Sequence, residues 1–306
     1  MRGLLKIAIV GVAALALLAL WVWAGLPSHR QVAALAHENP GPTALMKQRE
    51  REAQKKGRPA RQSQAWVPVS RISRHLIHAV LAAEDQKFFG HEGVDWEAVK
   101  ESVEANRKAG RFARGGSTIT QQLAKNLYFG TSKTPQRKLR ELIVARWLEQ
   151  ELTKRRILEL YLNVIEWGDG IYGAEAAART WAGKPAAALE PSEAAQLAAM
   201  IPNPRRINPR VNAARLARAQ RRVLWLMGQA GYLGRAGMGA EPPPPEPVDD
   251  EEEDEPPPAA AEPAPAPATP EATAAPETTP PPETAPPETT VPAVPSTPTP
   301  SPTPED

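Results

Sequence analysis

The sequence predicts a mainly α-helical protein, and three observations support this fold class. From Trp66 to about Leu233, apolar residues recur at the spacing of amphipathic helices. Helix-capping residues, such as Ser73 and the pair Thr134-Pro135, precede several of these runs. No stretch alternates between apolar and polar residues well enough to indicate a strand.

The chain divides by composition into a basic body and an acidic tail. It has 306 residues and a formal net charge of +2. Residues 241–306 hold 16 of the 35 acidic residues, 24 of the 35 prolines and no Lys or Arg, so residues 1–240 carry a net charge of +18. The tail has too few large apolar side chains to fold, and we expect residues 236–306 to be disordered. Its role is open between a solubilising spacer, which we favour, and a polyproline ligand for a partner.

An uncharged apolar run of bilayer length covers residues 7–26. Arg2 and Lys6 precede it, in a short segment 1–6 that we expect on the cytoplasmic side, and two tryptophans lie near its far end. This pattern predicts a single transmembrane anchor. A cleaved secretory signal is the alternative, although the run is long for one.

Residues 27–65 follow the anchor and are polar, basic and weakly periodic. We predict a juxtamembrane helix or linker here that lies against anionic lipid headgroups. Its most basic part, residues 47–61, stands on the far side of the membrane, against the positive-inside tendency.

The folded domain is predicted over residues 66–235, and its pattern is helical nearly throughout. Helices follow Ser73, a capping box at Thr118-x-x-Gln121, and Thr134. The remaining helices are expected over residues 156–163, 174–181, 192–200 and 213–229.

The absence of cysteine excludes a disulfide framework, cysteine-ligated zinc, an iron–sulfur cluster and thiol catalysis. The five histidines form no His-x-x-x-His pair, so a histidine-based metal site is not expected either.

Two glutamates stand on apolar helix faces. Glu84 follows Val80 by four residues and Ile77 by seven, so it ends an apolar stripe. Glu141 lies within a helix that is apolar almost all round. A carboxylate in such a place must be paired or must border a cleft. Pairing with one of the many arginines therefore remains an alternative for both glutamates.

Polar groups near these glutamates suggest chemistry on a phosphate-bearing substrate. Residues 115–122 (GGSTITQQ) open a helix whose free backbone N–H groups suit an anion. Lys125 lies about two turns into that helix, and several cations lead into Glu141. Carboxylates of raised pKa beside fixed cations suit a reaction that deprotonates a hydroxyl and expels a phosphate.

Five ordered motifs between residues 66 and 233 resemble those of the peptidoglycan glycosyltransferases, glycosyltransferase family 51. They are EDQKFFGHEG at 84–93, GGSTITQQLAKN at 115–126, RKLRE at 137–141, ILELYLN at 157–163 with its following glycines, and EAAQLA at 193–198 with PNP at 202–204. The resemblance is greatest to the monofunctional biosynthetic members, which have one amino-terminal membrane helix. The transpeptidase of the bifunctional relatives needs a Ser-x-x-Lys, which this chain lacks.

The resemblance implies a lysozyme-like, two-lobed fold and a division of labour between the two glutamates. Glu84 matches the general base that acts on the 4-hydroxyl of the acceptor lipid II. Glu141 matches the glutamate proposed to assist departure of the lipid pyrophosphate, directly or through a divalent metal, Mg²⁺ or Mn²⁺. The implied substrate-binding residues are Lys125, Lys133, Ser117, Thr118, Gln121, Gln122, Arg137, Lys138, Asp85 and His91. Lys133 stands where members of the family usually have arginine. A single ammonium charge therefore replaces a planar guanidinium that can donate two parallel hydrogen bonds.

The implied partners are lipid II, the growing glycan chain and the bacterial cytoplasmic membrane, with other cell-wall synthesis or division proteins as further candidates and no nucleic acid. The implied location is the inner membrane, single-pass, with the catalytic domain outside. Two rivals remain, a muramidase or lytic transglycosylase of similar fold and a non-catalytic anchored scaffold. The cations between Lys125 and Arg140 count against the first, and the intact glutamates count against the second.

Overall fold

The structure is a computed structural model, and it describes residues 2–109 and 116–234. Helices dominate this part of the chain, so the mainly α prediction is confirmed. The α-helices are α1 (Arg2–Trp23), α2 (His29–Ala34), α3 (Ala44–Lys55), α4 (Arg74–Glu84), α5 (Trp96–Ala109), α6 (Ile119–Ala124), α7 (Pro135–Glu151), α8 (Lys154–Val164), α9 (Ala174–Ala182), α10 (Pro191–Met200) and α11 (Ala213–Gln229). The predicted tail, residues 236–306, lies outside the described residues, as do residues 110–115.

Several helix boundaries follow from the capping residues seen in the sequence. The hydroxyls of Ser73, Thr118 and Thr134 each accept a hydrogen bond from a backbone N–H in the first turn of α4, α6 and α7. The predicted capping box at Thr118 is only half formed, because the side chain of Gln121 bonds elsewhere.

One continuous core sets the relative position of the helices. Helix α4 packs against α10 and α11, and α6 packs against α7 and α8. Leu76 and Val80 of α4 meet Leu123 of α6 and Leu160 of α8 in this core, and all four are fully buried. The carboxyl end of α4 and the start of α6 therefore lie close together, which brings Glu84 to the residues around Gln122.

A small three-stranded sheet accompanies the helices, and the sequence did not indicate its strands. Its strands are β1 (Ser63–Gln64), β2 (Glu166–Gly168) and β3 (Ile171–Tyr172), in the order β1-β3-β2. The first pair is parallel and the second antiparallel, with an irregularity in β2. Strands of two or three residues are too short to show an alternating pattern, so the sequence could not reveal them.

Residues 27–65, predicted as a juxtamembrane helix or linker, are partly helical. They contain α2 and α3, which begin at the capping residues Ser28 and Thr43. Val32 of α2 joins the main core, and Leu45 and Met46 of α3 pack against Tyr172 of β3. Each helix buries only one or two apolar side chains, and this accounts for the weak periodicity of the segment.

Helix α1 covers most of the predicted anchor. Within the described part of the chain, no helix meets the length and hydropathy that a membrane span requires. The side chains of residues 7 and 8, where the predicted span 7–26 begins, lie outside the described residues.

The carboxyl end of α1 contacts α7. The guanidinium of Arg140 donates hydrogen bonds to the backbone oxygens of Trp21, at 2.6 Å, and Val22, at 2.9 Å. Arg140 also lies over the indole ring of Trp21.

Candidate active site

Glu84 is the last residue of α4 and is half-buried. Its Oε2 accepts a hydrogen bond of 2.7 Å from the side-chain amide of Gln122. Burial raises the pKa of the Glu84 carboxyl, whereas the bond from Gln122 and the positive charge of Lys125 oppose that rise. Its second oxygen, Oε1, has no hydrogen-bond partner among the described residues, so it is free to accept a proton from a ligand.

Glu84 borders a cleft between α4, α5, α6 and α11. Ser117 and Thr118 line this cleft from the start of α6, and Arg222 lines it from α11. The remaining side chains around it include Lys87, Asp95 and Glu101. A hydroxyl of a bound molecule could therefore approach Glu84 from solvent.

Asp85 and His91 form an internal hydrogen-bonded pair beside Glu84. The His91 Nε2 lies 3.0 Å from both carboxylate oxygens of Asp85, and its Nδ1 accepts a bond from the backbone N–H of Gly93. Nδ1 is thus the acceptor, which places the ring proton on Nε2, toward Asp85. Both side chains are buried, so these two predicted substrate-binding residues are positioned to shape the site.

The carboxylate of Asp85 also lies against the amino-terminal end of α6. The backbone N–H of Ile119 donates to its Oδ2 at 3.0 Å. The sequence predicts an anion at this helix terminus, and within the described residues the anion there is the carboxylate of the protein itself.

Thr118 and Gln121 hold the loop that follows His91. The Thr118 hydroxyl and the Gln121 amide both donate to the backbone oxygen of Gly93, at 2.7 and 3.3 Å. Thr118 and Gln121 are buried, and their side chains brace the cleft wall.

Glu141 has surroundings of the opposite kind. It is buried inside α7 and pairs with Arg137 one turn earlier and with Lys138, whose Nζ lies 3.6 Å from Oε2. The pairing with arginine that the sequence left open is therefore present at Glu141, whereas Glu84 has no such partner among the described residues.

Lys138 connects Glu141 to the start of α6. Its ammonium donates to the Ser117 hydroxyl and to the Gln121 side-chain oxygen, both at 2.8 Å. Burial lowers the pKa of Lys138, and the negative charge of Glu141 opposes that shift.

Lys125 lies between these two carboxylate regions and begins a short π-helical segment, Lys125–Phe129. Its charge acts on both Glu84 and Lys138. Its ammonium makes no ion pair or hydrogen bond within residues 2–109 and 116–234, which leaves it available to a ligand. Lys133 is exposed on the loop between this segment and α7. The structure thus brings Lys125 to both carboxylate regions and places Lys133 on the loop that leads from its segment into α7.

Helix α3 contributes residues that the sequence did not indicate. The Gln48 amide donates to the Thr131 hydroxyl at 2.7 Å, and the Thr131 backbone N–H donates back to Gln48 at 2.9 Å. Arg49 pairs with the buried Glu166 of β2 at 3.0 Å. No signal in residues 27–65 pointed to these contacts, because they depend on segments about 80 to 120 residues away.

Comparisons with known proteins agree with this geometry. The family model described as Transglycosylase matches residues 30–228. A biosynthetic peptidoglycan transglycosylase from Azoarcus sp. (strain BH72) is 49% identical over 218 residues, which are 70% of this chain and 92% of the relative. Relatives of the same name from Dechloromonas aromatica and Chromobacterium violaceum are 53% and 45% identical, over 55% and 72% of this chain and 72% and 94% of their own lengths. The family match begins inside the segment predicted as a linker, in keeping with the packing of α2 and α3 on the domain. The chain belongs to the transglycosylase family.

Proposed function

We propose that the chain is a monofunctional peptidoglycan glycosyltransferase that polymerises lipid II into β-1,4-linked glycan strands. The observation that carries this is Glu84, a desolvated carboxylate on a cleft, held by Gln122 and next to the uncompensated ammonium of Lys125. A base and a free cation side by side suit the attack of an alcohol on a carbon that bears a phosphate leaving group. The lysozyme-like, two-lobed architecture belongs to the same proposal.

Glu84 acts as the general base. Its free Oε1 accepts the proton of the acceptor 4-hydroxyl. At the same time the 4-hydroxyl oxygen of the acceptor bonds to the anomeric carbon of the donor. The bond from this carbon to the pyrophosphate breaks with its electron pair, the configuration inverts from α to β, and undecaprenyl pyrophosphate leaves. Glu84 then returns its proton to solvent. The raised pKa makes it a stronger base than a free glutamate.

Two cations stabilise the departing pyrophosphate. The charge of Lys125 acts on Glu84, and Lys133 lies exposed on the loop before α7. Arg137 and Lys138 both pair with Glu141, so that this carboxylate orients the two cations.

A divalent metal at Glu141 fits the residues poorly. The Glu141 carboxylate is already neutralised by Arg137 and Lys138. The described residues contain no group of three acidic, histidine or cysteine side chains that could hold a metal ion. We therefore derive no step through a metal, and adding Mg²⁺, Mn²⁺ or EDTA to the activity assay measures whether one is required.

The protein is proposed to act at the outer face of the cytoplasmic membrane, with residues 7–26 as its anchor. The apolar run itself supports this, and the side chains of Val10, Leu15 and Trp23 along α1 are exposed. Recovery of the full-length chain with the soluble fraction of lysed cells would contradict this part of the proposal.

Purified full-length protein with labelled lipid II tests the function directly. We expect lipid II to be consumed and a polymer to form that lysozyme digests. If lipid II stays intact while purified sacculi are degraded, the protein is a hydrolase and the synthase proposal fails. If neither changes, the scaffold alternative stands.

A further inference from the structure

A buried tyrosine lies behind the base. Tyr161 of α8 is fully buried, and its hydroxyl lies 2.9 Å from the side-chain oxygen of Gln122. The amide nitrogen of the same Gln122 lies 2.7 Å from Glu84 Oε2. Tyr161, Gln122 and Glu84 thus form a continuous chain of hydrogen bonds from the core to the cleft.

We propose that Tyr161 is a positioning residue that fixes the orientation of the Gln122 amide and so controls the proton affinity of Glu84. This rests on the proposed role of Glu84 as the base. Tyr161 does not touch substrate and acts only through Gln122.

The chemistry of the amide explains why a hydroxyl is needed behind it. The Gln122 side chain has a donor end and an acceptor end, and only the donor end stabilises an ionised Glu84. If the amide flipped, its oxygen would face the carboxylate and repel it. The Tyr161 hydroxyl donates to the amide oxygen and therefore favours the orientation that presents the N–H groups to Glu84.

Tyr161 stays protonated throughout the working range. Burial raises its pKa well above the ordinary tyrosine value, and the charges of Glu84 and Asp85 raise it further. The hydroxyl is thus a permanent donor rather than a second base.

The other groups that face Glu84 come from four directions. Asp85 follows it in the chain, Lys125 approaches from the end of α6, and Arg222 lines the cleft from α11. Lys87, Asp95 and Glu101 complete the cleft wall. None of these is altered by a change at Tyr161, so a shift in the titration of Glu84 can be assigned to the chain through Gln122.

Tyr161→Phe tests the proposal through the pH dependence of kcat/KM for lipid II polymerisation. Loss of the donor frees the Gln122 amide and weakens the bond that lowers the pKa of Glu84, so that pKa rises. The base is then protonated at higher pH, and the acidic limb of the profile moves up by about 0.5 to 1 pH unit. At pH values below the limb we expect kcat to fall roughly threefold to tenfold, with KM unchanged within about twofold, whereas above the limb the two rates should converge.

Two further variants separate positioning from a general loss of stability. Tyr172→Phe changes another buried tyrosine, one that packs against Leu45 and Met46, and should leave the acidic limb in place. In a Gln122→Ala background, adding Tyr161→Phe should not move the limb again, because the two residues act in series. An unshifted limb in Tyr161→Phe, or a full further shift in the double variant, overturns the proposal.

The proposal can fail separately from the function. If Glu84→Gln remains active, the base is misassigned and the proposed mechanism falls. If Glu84→Gln is inactive and Tyr161→Phe has an unchanged profile, only the inference about Tyr161 falls. Should Tyr161→Phe not fold, 3-fluorotyrosine at position 161 keeps the shape and strengthens the donor, so the limb should move down. An unmoved limb there also overturns it.

Discussion

Glu84 and Glu141 carry the same carboxyl group, and their neighbours give them different roles. Glu141 is buried and pairs with two cations, Arg137 and Lys138. Glu84 has a neutral amide on one oxygen and a cleft beside it, and burial raises its pKa. The raised pKa of Glu84 suits proton transfer, whereas the paired carboxylate of Glu141 suits the orientation of neighbouring cations.

Replacing the base should abolish catalysis without unfolding the protein. We expect Glu84→Gln to lower kcat about 10²- to 10⁴-fold, because general bases contribute on that scale. Initial rates of lipid II polymerisation measure the change, and circular dichroism checks the fold. Glu104→Gln, at an exposed position on α5, is the matched control and should keep its rate. A fully active Glu84→Gln protein would show that another group takes the proton.

At the scale of elements, α3 holds the loop that carries Lys133. Gly130 has a φ of +72°, and a side chain there would run into Gln48 of α3. Gln48 in turn bonds Thr131 through both ends of its amide. Helix α3, which lies in the segment predicted as a juxtamembrane helix or linker, thus holds the loop before α7 in place.

Loosening this contact should weaken substrate binding more than the chemical step. We expect Gln48→Ala to raise the KM for lipid II several-fold and to change kcat about twofold or less, because each lost hydrogen bond contributes about 1 kcal/mol to holding the loop. Steady-state kinetics give both constants. Gln54→Ala on the exposed side of the same helix should behave as wild type. Equal effects from both variants would mean that α3 acts only through stability.

At the scale of the whole molecule, the catalytic domain begins before residue 66. Arg49 of α3 pairs with the buried Glu166, and Glu52, also of α3, lies 3.5 Å from Arg205. Gln64 of β1 also bonds the backbone of Asn163 at 2.8 Å. These contacts join residues 43–65 to the segments around β2 and α10.

Truncation should locate this boundary. A variant without residues 1–65 loses Arg49 as the ion-pair partner of Glu166, together with the buried side chains of Val32, Leu45 and Met46. Removing one partner of a buried ion pair costs about 3–5 kcal/mol, so we expect the unfolding midpoint to fall by about 10 °C or more, or the protein not to fold. A variant without residues 1–27 loses the hydrogen bonds of Arg140 to Trp21 and Val22, and its midpoint should fall by much less. One without residues 236–306 should keep both midpoint and polymerisation rate, as a spacer would. Equal midpoints for the first two variants would contradict the boundary proposed here.

The sequence by itself determined the mainly helical class, most helix boundaries, the two glutamates and the cations that accompany them. These features leave local signals, because apolar periodicity, capping hydroxyls and ordered motifs are read within a few residues of one another. Only the tertiary structure decided which glutamate is paired, where Asp85 and His91 are directed, that α3 belongs to the domain, and that Tyr161 stands behind Gln122. The contacts of Gln122 with Glu84 and Tyr161, and those of α3 with the domain, join residues 38 or more apart. The pairing of Glu141 with Arg137 and of Asp85 with His91 is close in sequence and depends on the rotamer that each polar side chain adopts in the folded core. Hydrogen bonds of that kind have no local signature, since almost any buried polar residue could be their partner.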